Sequence, residues 1–352
     1  MKNIILIILC LFCTVTLHAQ TVTALSCLDK YTIPLNIKGA VVGKIIYPET
    51  KNHDKIILVK DTSGFFRIDN KGSVCLKAKV KLSPSSVVFR YGITLNIHDK
   101  KVELELVKDN FIHNKVVAHR GAWKNHHVTE NTVSSLKNSI ALGCEGSEFD
   151  VWLSSNNIPV ICHDGSVKGK QIEKTTAEEL QKVDLQNGDV VPTLKQYLLT
   201  IKSQNKTRLF LEVKSSEVNQ ERSLAVADSA VRMVHELKAQ AWVKYISFNY
   251  GVLQRIHQLD PTAPTAYLNG DKKVVELNND NVSGLDYPFY SFHSDKSLTS
   301  DAHRLGLSVN VWTVDNKEEM KFLLKEGVDQ ITTNEPEMLL ELIRSDNQSS
   351  SK

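Results

Sequence analysis

Five groups able to move protons, hold cations or bind anions fall within one stretch of the chain, Val116 to Asp164. His119 and Arg120 follow a short apolar run, Glu148 and Asp150 stand two residues apart, and His163 follows Pro159-Val-Ile-Cys. A strand has a side-chain period of two, so Glu148 and Asp150 point to one face. Glu212 and Lys214 repeat that spacing after Arg208-Leu-Phe-Leu. Three carboxylates converging on one place repel one another unless a cation lies among them. An all-oxygen donor set suits a hard divalent cation, Mg2+ or Ca2+, better than zinc. Arg120 and Lys214 add positive groups suited to phosphate oxygens, the arginine in bidentate fashion. Two histidines can divide proton transfer, one taking a proton from a nucleophile and the other giving one to a leaving alcohol. These parts together describe metal-assisted cleavage of a phosphodiester.

Each residue taken alone has a plainer reading. A histidine at a strand end is commonly just hydrogen-bonded, and Glu-x-Asp is common on solvated strands. Glu130-Asn131-Thr132 fits the start of a helix, with Thr132 as its cap and Glu130 and Asn131 supporting the site. Trp312 either packs or touches substrate, and His126-His127 reads as a solvated doublet. The joint occurrence, in order, favours chemistry.

Positioning these groups requires a particular scaffold. After Phe111, apolar runs alternate with helical patterns, as at 132–142, 176–180, 193–201, 223–238, 251–259 and 317–325. Runs beginning at Lys115, Glu148, Arg208, Tyr245, Thr265, Gly284, Ser308 and Gln330 make eight strands. Ile158 to Cys162 is separate: its link from Leu153 is too short for a parallel crossover, so it returns antiparallel as a hairpin. Eight strands over residues 115–344 predict an α/β fold, a (βα)8 TIM barrel, whose site lies at the C-terminal strand ends. His119, Glu148, Asp150, Glu212 and Lys214 all fall there, with Trp312 on the seventh strand.

Residues 26–111 carry a different pattern. Short alternating segments starting at Ala40, Lys55, Phe65, Ser73, Val87 and Lys101, broken by Gly, Asn and Pro, predict a small antiparallel β-sandwich, cadherin-like or Ig-like. Phe66-Arg-Ile-Asp-Asn-Lys-Gly-Ser-Val-Cys-Leu faintly resembles a cadherin repeat, without its calcium-binding acidic motifs. Residues 345–352, rich in Ser and Asn, read as a disordered tail.

The chain has 352 residues and a net charge of +3, too small to imply a nucleic-acid partner. Lys2, the apolar run to Leu17 and the small residue Ala19 describe a secretory signal peptide, residues 1–19, cleaved near Ala19. Export to the periplasm or beyond is expected, with no stable membrane span in the mature chain. Four cysteines remain, Cys27, Cys75, Cys144 and Cys162; an oxidising compartment permits Cys27–Cys75 and Cys144–Cys162 pairs, and free buried thiols fit equally.

The series His119-Arg-Gly, Glu130-Asn-Thr, Gly143, Glu148-x-Asp150-Val, Pro159-Val-x-x-His163-Asp, Glu212-x-Lys214 and Val311-Trp-Thr closely resembles the glycerophosphodiester phosphodiesterases, from Val116 to Pro336. The resemblance implies a phospholipase-C-like TIM barrel and a divalent ion on Glu148, Asp150 and Glu212. It also implies His119 and His163 as the acid–base pair, Arg120 and Lys214 on phosphate, and hydrolysis of a small glycerophosphodiester to sn-glycerol 3-phosphate and an alcohol. Three departures stand out. Thr129 replaces a frequent Pro, Ser154-Ser-Asn-Asn replaces a Thr-x-Asp-Gly turn, and Asn334-Glu-Pro replaces an Asp-containing strand end. Other readings are an enzyme for intact phospholipid, glycerophosphoinositol or polymeric glycerol phosphate, and a binding protein with a vestigial barrel. The partner of the N-terminal domain is not indicated.

Overall fold

The computed structural model describes Leu25 and residues 27–46, 56–97 and 99–349; the leader, residues 1–19, lies outside them. The N-terminal strands are β1 (Cys27–Leu28), β2 (Thr32–Ile33), β3 (Val41–Ile46), β4 (Ile56–Asp61), β5 (Phe66–Ile68), β6 (Ser73–Leu76), β7 (Arg90–Ile97) and β8 (Lys100–Lys108). They form two sheets, ordered β1-β3-β6-β5 and β2-β8-β7-β4. Alternation does the work on β7: Tyr91, Ile93, Leu95 and Ile97 are buried while the residues between them are not. Those side chains meet Leu28, Val42, Phe66, Val74 and Leu76 of the other sheet in one apolar core. The pairing is antiparallel except where β2 lies parallel to the end of β8.

Two sequence expectations shift here. The strand expected from Val87 begins at Arg90 instead. The preceding loop is held by the buried Lys108, whose Nζ donates to Ser86 O at 2.7 Å and Pro84 O at 3.3 Å. That leaves Val87 outside any strand and exposed. The four cysteines are free thiols. Burial pushes Cys144 up to about 12 and Cys162 up to about 11, so both stay protonated at neutral pH.

The second part begins with β9 (Val116–Ala118), α1 (Val133–Leu142), β10 (Gly146–Leu153) and β11 (Pro159–Ile161). Two small hairpins follow, β12 (Ser166–Val167) with β13 (Lys170–Gln171), and β14 (Asp184–Gln186) with β15 (Asp189–Val190), around α2 (Ala177–Leu180). Then come α3 (Leu194–Ile201), β16 (Arg208–Val213), α4 (Gln220–Glu236), β17 (Val243–Ser247), α5 (Tyr250–Leu259), β18 (Thr265–Tyr267), α6 (Val274–Asn279) and β19 (Gly284–Pro288). The chain ends through α7 (Tyr290–Ser294), α8 (Leu298–Arg304), β20 (Ser308–Trp312), α9 (Lys317–Lys325), β21 (Gln330–Thr333) and α10 (Pro336–Ser349). Strands β9, β10 and β16 to β21 are parallel, and β21 pairs with β9 to close an eight-stranded barrel.

The expected hairpin is present. β10 is long enough to pair with β9 at Gly146–Ser147 and, on the same edge higher up, with β11 at Val151–Leu153. The tail differs from expectation: residues 345–349 continue α10, because Leu339, Leu340 and Leu342 dock its preceding turns and helix propagation then costs little.

The sandwich meets the barrel at the αβ turns, which lie at the N-terminal ends of the strands. Asn205 Nδ2 donates to Lys108 O at 2.9 Å, Lys202 pairs with Glu105 at 2.9 Å, and Leu25 N donates to Leu259 O at 2.7 Å. Phe111 packs edge-on against Trp242 and under the Arg208 guanidinium. The sandwich therefore packs against the bottom of the barrel beneath β16 to β18, opposite the mouth.

Candidate active site

The bend after β9 places the first two groups. Arg120 has φ 56 and Gly121 has φ 80. A Cβ on Gly121 would sit 2.3 Å from Ser135 Oγ and 2.7 Å from Ser135 C, so only glycine fits between the turn and α1. The bend turns the Arg120 N–H toward Glu148, donating to Oε2 at 2.8 Å. Glu130, Asn131 and Thr132 divide their work. Glu130 accepts from the Arg120 guanidinium at 2.8 Å. Asn131 donates to Asp150 Oδ2 at 2.8 Å and accepts from the Asp150 N–H at 3.1 Å. Thr132 caps α1, as its residue type predicts.

Strand register brings the carboxylates together. β10 and β16 pair Asp150 with Glu212, and Glu148 lies two residues earlier on the same face. Oxygens of Glu148, Asp150 and Glu212 all lie within 4.8 Å of one another. Burial and the neighbouring Asp150 and Glu212 push Glu148 well above the carboxylate range. Burial and Asp150 push Glu212 up to about 7 despite Lys214. Burial also opposes ionisation of Asp150, but Lys214, His163 and Asn131 outweigh it and hold this carboxyl low. Lys214 Nζ lies 2.8 Å from Glu212 and 3.2 Å from Asp150, held between them. One lysine between three buried carboxylates leaves excess negative charge, which fits a hard divalent cation.

The histidines approach from two elements. His119 follows β9, and its N–H donates to Thr333 O on β21 at 2.9 Å. Asn334 Nδ2 donates to Asp315 Oδ2 at 2.8 Å, which turns Oδ1 toward His119 Nδ1, 2.9 Å away. Nδ1 must therefore carry the ring proton, and Nε2, 3.9 Å from Glu148, keeps its lone pair. Burial and the Arg120 charge push His119 down to about 4, so it is neutral at pH 7. His163 arrives on the return from β11, held because Cys162 N donates to Asp150 O at 3.1 Å. Its Nδ1 donates to Asp164 at 2.7 Å, which leaves Nε2 to the site.

His119, Arg120, Glu148, His163 and Glu212 line one cavity of about 490 Å³ at the barrel mouth. Its other half is built by Ile246, Phe248, Leu268, Asp286 and Trp312. Trp312 both packs and faces the cavity: Nε1 donates to Asp286 O at 2.8 Å, and its ring meets Phe248 edge-on at 5.3 Å. His126 pairs instead with Glu337, 2.9 Å away, and is absent from the cavity lining, in keeping with a solvated residue. Sequence reading missed Asp315, Asp286 and Phe248, and noted Asn334 only as a departure. The strand-end rule could have found Asp286; no local signal marks the others.

The model of the glycerophosphoryl diester phosphodiesterase family matches residues 119–338. A glycerophosphodiester phosphodiesterase of Caldanaerobacter subterraneus subsp. tengcongensis is 30% identical over 245 residues, covering 65% of this chain and 97% of that protein. The crystal structure of a glycerophosphodiester phosphodiesterase from Parabacteroides distasonis superposes with TM-score 0.65 and 37% identity, over 68% of this chain and 100% of that one. An Oleispira antarctica phosphodiesterase, solved in complex with the product sn-glycerol-3-phosphate, shares the fold with TM-score 0.57 and 23% identity, over 66% and 96% of the two chains. With its barrel closed and its mouth so furnished, this chain belongs to the glycerophosphoryl diester phosphodiesterase family.

Proposed function

We propose that this chain hydrolyses glycerophosphodiesters to sn-glycerol 3-phosphate and an alcohol, by histidine acid–base catalysis at a divalent cation. The observation that carries the reading is the meeting of two histidines with Glu148 and Glu212 in one cavity, where Asp150 completes a buried triad of carboxylates. Arg120 adds a buried Nε–H that has no hydrogen-bond partner, an open donor for a phosphate oxygen. Glu148, Asp150 and Glu212 would hold Mg2+ or Ca2+, which when bound supplies positive charge against phosphate oxygens. Lys214 offsets part of the charge of Asp150 and Glu212, and the family resemblance assigns it to phosphate.

His119 Nε2 accepts a proton from the attacking water as the water oxygen bonds to phosphorus. His163 Nε2 donates a proton to the alcohol oxygen as its bond to phosphorus breaks. The product of the Oleispira protein fits this reaction. Glycerophosphocholine and glycerophosphoethanolamine should release sn-glycerol 3-phosphate, and a chelator should abolish the release. His119→Ala and His163→Ala should each lower turnover about 10²-fold or more. Full activity in both variants sinks the mechanism.

The leader reading is a second part of the proposal: export with cleavage near Ala19 to the periplasm or exterior. Among the described residues no helix is long and apolar enough to cross a membrane. N-terminal sequencing of the mature protein tests it, and a chain that still begins at Met1 refutes it.

A further inference from the structure

The cavity has two unlike halves. Arg120, Glu148, Glu212 and the histidines occupy the side formed by β9, β10, β16 and the β11 return. The far side, formed by β17 to β20, is apolar at Ile246, Phe248, Leu268 and Trp312, and its one charged residue is Asp286. In the closed strand order β19 stands opposite β10, so Asp286 faces the carboxylate triad across the mouth.

Asp286 is only 1% exposed. Its Oδ2 accepts from Asn310 Nδ2 at 2.9 Å, while Oδ1 is buried with no hydrogen-bond partner. Thr332, a polar residue of the same cavity on β21, already shares its hydroxyl with Asn310 at 2.9 Å. An unused acceptor shielded from bulk water is costly unless a ligand supplies a donor. That donor is better neutral than cationic. Burial pushes Asp286 up to about 6 against the opposing charge of the nearby Lys244, which would also repel an ammonium group.

We propose that Asp286 is the specificity residue of a polyol subsite, where its Oδ1 accepts a hydrogen bond from a free hydroxyl of the phosphate-linked glycerol. The glycerol carbons then lie against Trp312 and Phe248, whose faces suit CH groups but offer no hydrogen bond. The assignment rests on the diesterase reading for its substrate, and adds what selects glycerol over a plain alkyl group.

Binding tests it without turnover. Titration calorimetry, with the divalent ion present, compares sn-glycerol 3-phosphate with n-propyl phosphate in wild type, Asp286→Asn and Asp286→Leu. The wild type should favour the glycerol compound by about 10- to 100-fold, the range for a hydrogen bond to a charged acceptor. D286L should bring the ratio to within about threefold while n-propyl phosphate binding changes little. D286N, which keeps the shape and the Asn310 contact, should fall between, and it carries the test if D286L does not fold. An unchanged ratio in the folded variants overturns the assignment, as does a wild type that binds neither compound. Loss of hydroxyl selectivity in a protein that hydrolyses no diester would support the subsite and sink the diesterase reading.

Discussion

Replacing Asn334 by Ala isolates the contact that decides which nitrogen of His119 carries its proton. Asn334 Oδ1 lies 2.9 Å from Nδ1, and the amide cannot turn over freely because Asp315 accepts from its Nδ2. The substitution removes one neutral hydrogen bond, with a net contribution of about 1 kcal/mol. The two ring tautomers then become comparable in population, and the fraction of His119 with a lone pair on Nε2 falls. Turnover should drop by roughly 3- to 10-fold, against about 10²-fold or more for loss of the base itself in His119→Ala. The assay is release of sn-glycerol 3-phosphate from glycerophosphocholine, paired with nitrogen NMR of the histidine rings. The Asn334 contact also raises the His119 pKa, so N334A should move the acid limb of kcat/KM downward. A variant with turnover within twofold of wild type and an unaltered tautomer would refute the argument. So would a loss as deep as that of H119A with the tautomer unchanged.

Three further outcomes follow from the electrostatics of the mouth. With His119 held down at about 4, the base stays neutral well below the usual histidine range, so protonation of this base should lower kcat/KM only as pH drops toward 4. The unfolded chain binds that proton more readily, so stability from this group is present above about pH 6.5 and is lost as pH falls to 4. Thermal melts of wild type and H119A across that window check the sign. Glu148 is pushed the opposite way, by burial and by Asp150 and Glu212. Its folded form holds a proton that the unfolded chain releases, so this group opposes folding increasingly as pH rises. Glu148→Gln should raise the Tm of chelator-treated protein, most at alkaline pH, while abolishing activity; a lower Tm contradicts the repulsion.

Much of the site was legible before any tertiary structure because its spacing is local. Period-two alternation alone places Glu148 with Asp150 and Glu212 with Lys214, and the four-residue link from Leu153 dictates the hairpin that brings back His163. The small helices α6, α7 and α8 escaped notice, since short elements carry few turns of pattern and rely on docking for stability. The tail misled for the same reason: Ser and Asn composition argues for disorder, while the buried leucines just before it nucleate a helix that runs on.

Sequence by itself determined which ionisable side chains Val116 to Asp164 supplies and the scaffold that must carry them, because strand periodicity and turn length act over a few residues. Only the tertiary structure decided which partners those groups meet. Asn334 reaches His119 from 215 positions away along the chain. Asp286 faces the triad from the opposite strand, and the sandwich packs beneath the barrel instead of covering its mouth. Those contacts depend on barrel closure, where β21 joins β9 and every strand end acquires neighbours that no local pattern encodes.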